Sequence, residues 1–247
     1  MTREQPTQQA PPVQRLRIRY AKRGRLRFTS HRDFSRAFER AVFRARIPMA
    51  YSSGFNPHPR ISYAGAAPTG SASEAEYLEI GLAQVVDPAL VHTDLTDALP
   101  DGLDVLEVVE SRGGSLADLL TASHWTIAVP AGDERAGDVL AAAVDEFLAT
   151  DQVRVERMTK KGLREFDCRA AVVSLAVRVD ADVPTLDLVL RQLVPAVRPD
   201  DVLTGLARVA GDEARLTAGA PLMTRLAQGP LDEATGLVGD PLAAPSA

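Results

Sequence analysis

The chain has 247 residues, 45% hydrophobic and 25% charged, the balance of a globular protein with room for one large or two modest domains. No apolar run approaches membrane-spanning length and residues 1–13 are polar, so a cytoplasmic location is expected. A single cysteine, Cys168, excludes an internal disulfide or a cysteine-held iron–sulfur cluster, and four scattered histidines give no zinc spacing; neither a cofactor nor a metal is expected.

The net charge of −5 is unevenly spread. Residues 1–60 carry 14 Lys and Arg against 3 Asp and Glu, leaving 14 against 30 for the rest. A basic N-terminal part on an acidic chain points to a local anionic partner.

Residues 1–13 read as a disordered Gln- and Pro-rich tail. From Arg15 the pattern alternates, with Leu16, Ile18 and Tyr20 against Arg15, Arg17 and Arg19, and it resumes with Leu26 and Phe28 against Arg25 and Arg27. A three-residue loop at 22–24, with Gly24 left-handed, would pair Tyr20 with Leu26 and Ile18 with Phe28. The expectation is a β-hairpin with one apolar face and one face of five arginines.

Ser30-His31-Arg32-Asp33 has the form of a capping box, and Phe34, Ala37, Phe38, Ala41, Val42 and Ala45 form the core stripe of the helix it opens. Arg32, Arg36, Arg40 and Arg44 make a row on another face. Strands are expected over 61–64, 74–82 and 103–109, and a helix follows Asp87-Pro88. The order over residues 14–110 is that of a ferredoxin-like sandwich, with helices on one sheet face and the other free for the arginines.

Residues 111–122 read as a linker, and residues 123–220 as a second half repeating the order. Its strands are expected over 125–129, 153–158, 170–179, 186–193 and 215–217, its helices over 134–150 and 199–210, and a basic loop over 159–166. Residues 221–247 are Pro-, Gly- and Ala-rich and read as a loose tail. The fold class is therefore α+β, as two tandem ferredoxin-like halves with mostly antiparallel sheets.

The stretch Ala50 to Tyr63 is too rich in turn formers for helix or strand. Pro57 and Pro59 stiffen the backbone around His58, and Gly54 opens a position to positive φ. A rigid loop of this kind is a candidate for binding, with Ser52, Ser53, Gly54, Phe55, Asn56, His58 and Arg60 as its contact residues. The structural alternative is a connection whose Phe55 and Tyr63 fill the core. Arg17, Arg19, Arg27, His31 and Arg32 complete the binding set, because clustered arginines suit phosphates. His31, Asp33 and His58 could form an acid–base site, although Asp33 is already used by the capping box.

The residues Phe28-Thr-Ser-His-Arg-Asp33, Tyr51-Ser-Ser-Gly-Phe-Asn-Pro-His-Pro-Arg60, Glu76-Tyr77-Leu78, Lys161-Gly-Leu-Arg-Glu-Phe-Asp167 and Gln228-Gly229 resemble the radical-SAM-linked (radical-SAM-associated) domain family over about residues 14–210. Some relatives carry this domain behind a cobalamin-binding radical SAM enzyme, a part absent from this sequence. The resemblance implies an accessory role beside a radical SAM enzyme as partner, directed at RNA or a ribonucleoprotein. The alternatives are a small RNA-processing enzyme using His31 and His58, and a protein-binding adaptor that docks through the acidic second half.

Overall fold

The computed structural model describes residues 8–130, 136–159, 162–178, 183–211 and 219–243. The chain divides into two units, one of residues 1–118 with 242–247 and one of residues 119–241. The first contains β1 (Gln14–Lys22), α1 (His31–Arg44), β2 (Ile61–Ala64), β3 (Ala72–Leu82), α2 (Pro88–Ala98) and β4 (Val105–Glu110). β1 lies between β4 and β3, β2 pairs with β3, and every one of these pairings is antiparallel.

Alternation sets the register. Leu16 faces Ile80 and Ile18 faces Leu78, so the apolar side of β1 meets the apolar side of β3. The stripe Phe34, Phe38, Ala41 and Val42 of α1 and Val91, Leu95 and Ala98 of α2 close over that face. Tyr20 stacks on Phe34 with ring centroids 4.4 Å apart. Each buried Val, Leu, Ile or Phe of this set contributes about 1.5–3 kcal/mol.

The expected hairpin is not formed. β1 already has β4 on one edge and β3 on the other, so a strand over 25–28 would find no free edge. Gly24 does take a left-handed conformation (φ 54°), but the chain then winds through a 3₁₀ turn, Gly24–Phe28. Leu26 still packs on the core, whereas Phe28 stands exposed with the Arg27 guanidinium 4.6 Å from its ring centre. Nor are residues 8–13 a free tail. The Val13 N–H donates to the Leu82 carbonyl (2.9 Å) and the Gln9 N–H to Ser53 Oγ (2.9 Å). Residues 1–7 lie outside the described residues.

Past the short helix α3 (Leu116–Leu119), the second unit contains β5 (Ala122–Ala128), α4 (Ala136–Ala149), β6 (Arg154–Thr159), β7 (Gly162–Asp167), β8 (Val172–Arg178), β9 (Thr185–Arg191), α5 (Pro199–Ala210) and β10 (Leu222–Gly229). β10, β5, β9 and β8 are antiparallel neighbours in that order, and β6 and β7 form a separate two-stranded ladder. With that ladder set aside, the strand order matches the first unit: the first strand sits between the last and the third. The segment expected as a basic loop over 159–166 is mostly β7. The tail expected to be loose supplies β10, in which Met223 and Arg225 are buried, and the strand expected over 215–217 lies outside the described residues.

Cys168 is buried beneath α5, and a Cβ on Gly205 would come 2.7 Å from its sulfur. Burial, with Asp167 and Asp201 nearby, pushes its thiol up to about 12. The folded protein is expected to resist Ellman's reagent at pH 8 and to release one thiol equivalent when unfolded in urea. Rapid labelling of native protein would contradict this burial.

Among the described residues no helix is long and apolar enough to cross a membrane.

Candidate functional site

The loop between α1 and β2 is tied to itself through its backbone. The Ser52 N–H donates to the His58 carbonyl (2.8 Å) and the His58 N–H donates to Ser52 Oγ (3.0 Å). Tyr51 and Pro59 pair as an isolated bridge, and the Arg60 N–H donates to the Ala50 carbonyl (2.8 Å). Arg60 Nε also donates to the Tyr51 carbonyl (3.2 Å). The whole is fastened to β3, where the Ala50 N–H donates to the Gly81 carbonyl and the Gly81 N–H to the Arg60 carbonyl. Gly54 at φ 130° lets the chain reverse at the tip.

Beyond these ties at residues 50–52 and 58–60, the side chains of the tip stand outward. Phe55 is 67% exposed and Tyr51 42%, so these aromatics do not fill the core, whereas Tyr63 does pack against it. Ser53, Asn56 and His58 are exposed too. Between the loop and β3 lies a cavity of about 300 Å³, lined by Arg15, Ser52, His58, Arg60, Ser62 and Glu79 with Pro12, Pro59 and Ile61 as apolar walls.

The three residues weighed for acid–base chemistry are not joined. His31 is exposed and meets the Tyr63 ring edge-on, centroids 4.9 Å apart. It does not line the cavity that His58 lines, and no hydrogen bond or ring contact connects the two. Asp33 accepts from the Ser30 hydroxyl (2.6 Å) while its N–H donates to Ser30 Oγ (3.2 Å), the helix-capping role. Among the described residues no group of three or more His, Cys, Asp or Glu could hold a metal ion.

The arginine face of β1 is not bare. Arg17 is only 5% exposed; its Nε donates to Glu79 (3.1 Å) and its Nη2 to the carbonyls of Gly113 (2.6 Å) and Gly114 (3.0 Å). The segment expected as a plain linker therefore folds over this face. Arg15 donates to the other oxygen of Glu79 (3.0 Å), the Ser111 hydroxyl also donates to Glu79 (2.8 Å), and Arg19 donates to the Glu74 carbonyl (2.8 Å). Burial acts to raise the Glu79 carboxyl, but hydrogen bonds from Ser111, Arg15 and Arg17 outweigh it and hold the group below the usual carboxylate range. Arg23 pairs with Glu74 and Asp104. Arg25 and Arg27 belong to the 3₁₀ turn, not to a sheet face.

Arginines without a carboxylate partner also stand in a row on α1. Arg32, Arg36 and Arg40 are exposed and make no ion pair, and Phe43 beside them is 84% exposed. The fourth member of the row, Arg44, donates to the Ala98 carbonyl (3.1 Å). Arg36, Arg40, Phe43, Arg15, Ser62 and Glu79 are thus site residues that the binding set read from the sequence omits. The row itself was legible from its four-residue spacing, and Ser62 and Glu79 become neighbours only through the register of β2 on β3.

Comparison with curated proteins returns no match. A family model, described as uncharacterized proteins conserved in bacteria, matches residues 15–199 and so spans the loop, α1 and the cavity lining apart from Pro12. With three quarters of its length matched, the chain belongs to that family, domain of unknown function 2344.

Proposed function

We propose that this chain is a non-catalytic module that recognises RNA or an RNA-containing particle and works beside a radical SAM enzyme, and that its two units are tandem ferredoxin-like halves. The observation that carries the binding reading is the row Arg32, Arg36 and Arg40: exposed, spaced one turn apart and unpaired, with Phe43 next to it. Like charges at i and i+4 repel one another unless an anion joins them. Guanidinium groups match phosphates in bidentate fashion, and an exposed ring can stack on a base. The repeated strand order of the two units supports the fold assignment. The radical SAM partnership rests on the resemblance of the loop and helix motifs.

The test is fluorescence anisotropy with a labelled single-stranded RNA across a salt series. Replacing Arg32, Arg36 and Arg40 together by Gln is expected to weaken binding to all sequences. The slope of log K against log salt should fall by about 2, since each phosphate contact on a single strand contributes about 0.7. Unchanged affinity and slope, with circular dichroism unaltered, would remove the nucleic-acid reading. For the partnership, affinity purification after nuclease treatment is expected to retain a radical SAM enzyme.

A further inference from the structure

The cavity under the loop is chemically distinct from the α1 row, and part of its donor capacity is unused. Arg60 commits only Nε, to the Tyr51 carbonyl, which leaves both terminal guanidinium nitrogens unused. Arg15 commits Nη1 to Glu79. The His58 ring and the Ser62 hydroxyl line the same space and make no hydrogen bond. Glu79 is the one carboxylate of the lining, and Arg15, Arg17 and Ser111 already engage it. Two guanidinium groups, an imidazole and a hydroxyl therefore converge where the single negative charge is compensated.

We infer that this cavity is a binding site for a phosphate monoester carried on a sugar-sized group. A phosphate monoester presents three oxygens and close to two charges, the complement of two forked cations with a hydroxyl between them. At about 300 Å³ the cavity has room for about ten waters. That is more than a bare oxyanion of five heavy atoms fills, and it lies at the small end of ligand pockets. Pro12, Pro59 and Ile61 supply apolar walls for the carbon skeleton. The tied loop backbone holds His58 and Arg60 in place before the ligand arrives. The inference does not depend on RNA binding by α1.

Isothermal titration with ribose 5-phosphate, with ribose, and with a short RNA bearing either a 5′-phosphate or a 5′-hydroxyl tests the site. Ribose 5-phosphate is expected to bind once per chain and ribose not at all. Arg60→Gln should weaken binding about 10- to 100-fold, the range for losing a charged hydrogen bond. Because Arg60 also steadies the loop, His58→Gln serves as the second variant and should weaken binding about tenfold, the backbone ties at residue 58 being unchanged.

If an RNA terminus is the source of the phosphate, the 5′-phosphorylated oligonucleotide will outbind its 5′-hydroxyl form. That advantage should vanish in Arg60→Gln and persist in the Arg32, Arg36, Arg40 triple variant. If free sugar phosphates are the source, ribose 5-phosphate will bind while the two RNA forms bind alike. Either result supports the site, and loss of RNA binding in the α1 variant alone bears only on the α1 reading. Equal behaviour of ribose and ribose 5-phosphate, or wild-type binding by both single variants, overturns it.

Discussion

Replacing Glu79 by Gln is expected to lower the stability of the protein by about 3 kcal/mol, because it leaves the Arg17 guanidinium buried without its counter-charge. Arg17 is 5% exposed and Glu79 11%, and the pair shares Ser111 and the carbonyls of Gly113 and Gly114. Arg15→Gln is the control. Its side chain is 55% exposed, and loss of a solvent-screened pair costs about 0–1 kcal/mol. Urea unfolding followed by circular dichroism separates the two; equal losses would mean that the Arg17 pair is no more than a surface contact.

The sign of the pH dependence follows from the lowered Glu79 carboxyl. A group whose folded pKa lies below its unfolded value stabilises fully above the unfolded pKa, about 4.3 for Glu. That contribution is lost as pH falls from there through the folded value. The wild type should show this acid limb, and Glu79→Gln should lack the part of it that Glu79 supplies. Substituting Arg17, Arg19 and Arg27 as a block to test binding would confound a recognition defect with a folding one.

Gly229→Ala should destabilise the second unit by about 3 kcal/mol. A Cβ at this position would overlap the Gly239 carbonyl oxygen and lie 2.9 Å from Pro241 Cδ. The obstacle is backbone, which cannot swing aside as a side chain end can, so the cost falls at the upper end of the overpacking range. Residues 230–239 are held in place by the Leu231–Val238 bridge and by the Gly239 N–H donating to the Pro230 carbonyl (2.8 Å). The single tryptophan, Trp125, lies on β5 directly opposite Arg225 of β10. Its fluorescence therefore reports the unfolding of this unit, and a midpoint equal to wild type would show that residues 230–241 yield without cost.

Local rules carried much of the fold. Ser30 caps α1, Asp87 with Pro88 opens α2, and Ile61–Ala64 and Pro199–Ala210 span the residues that alternation and helical spacing assign to them. The failures concern facts that no local window contains. Parity correctly put Leu16, Ile18 and Tyr20 on one face, but it assumed an open edge on β1 that β3 and β4 both occupy. Alternation correctly turned Arg17 away from the helices, but Gly113 and Gly114 look like linker glycines until their carbonyls are seen receiving its guanidinium. For β10, composition averaged a strand together with the Pro- and Gly-rich residues that follow it. The loop was the reverse case, since its prolines and Gly54 announced a fixed shape, while Ser62 and Glu79 meet beneath it only through the pairing of β2 with β3.

The hydrogen bonds that join residues 50–52 to residues 58–60 have a thermodynamic consequence. A segment that must order itself on meeting its ligand pays for lost backbone freedom at that moment and buries surface of its own as it does so. Here Ser52, His58 and Arg60 have already surrendered that freedom to the fold. The heat-capacity change of association should then match the contact area alone, with no contribution from folding of the loop.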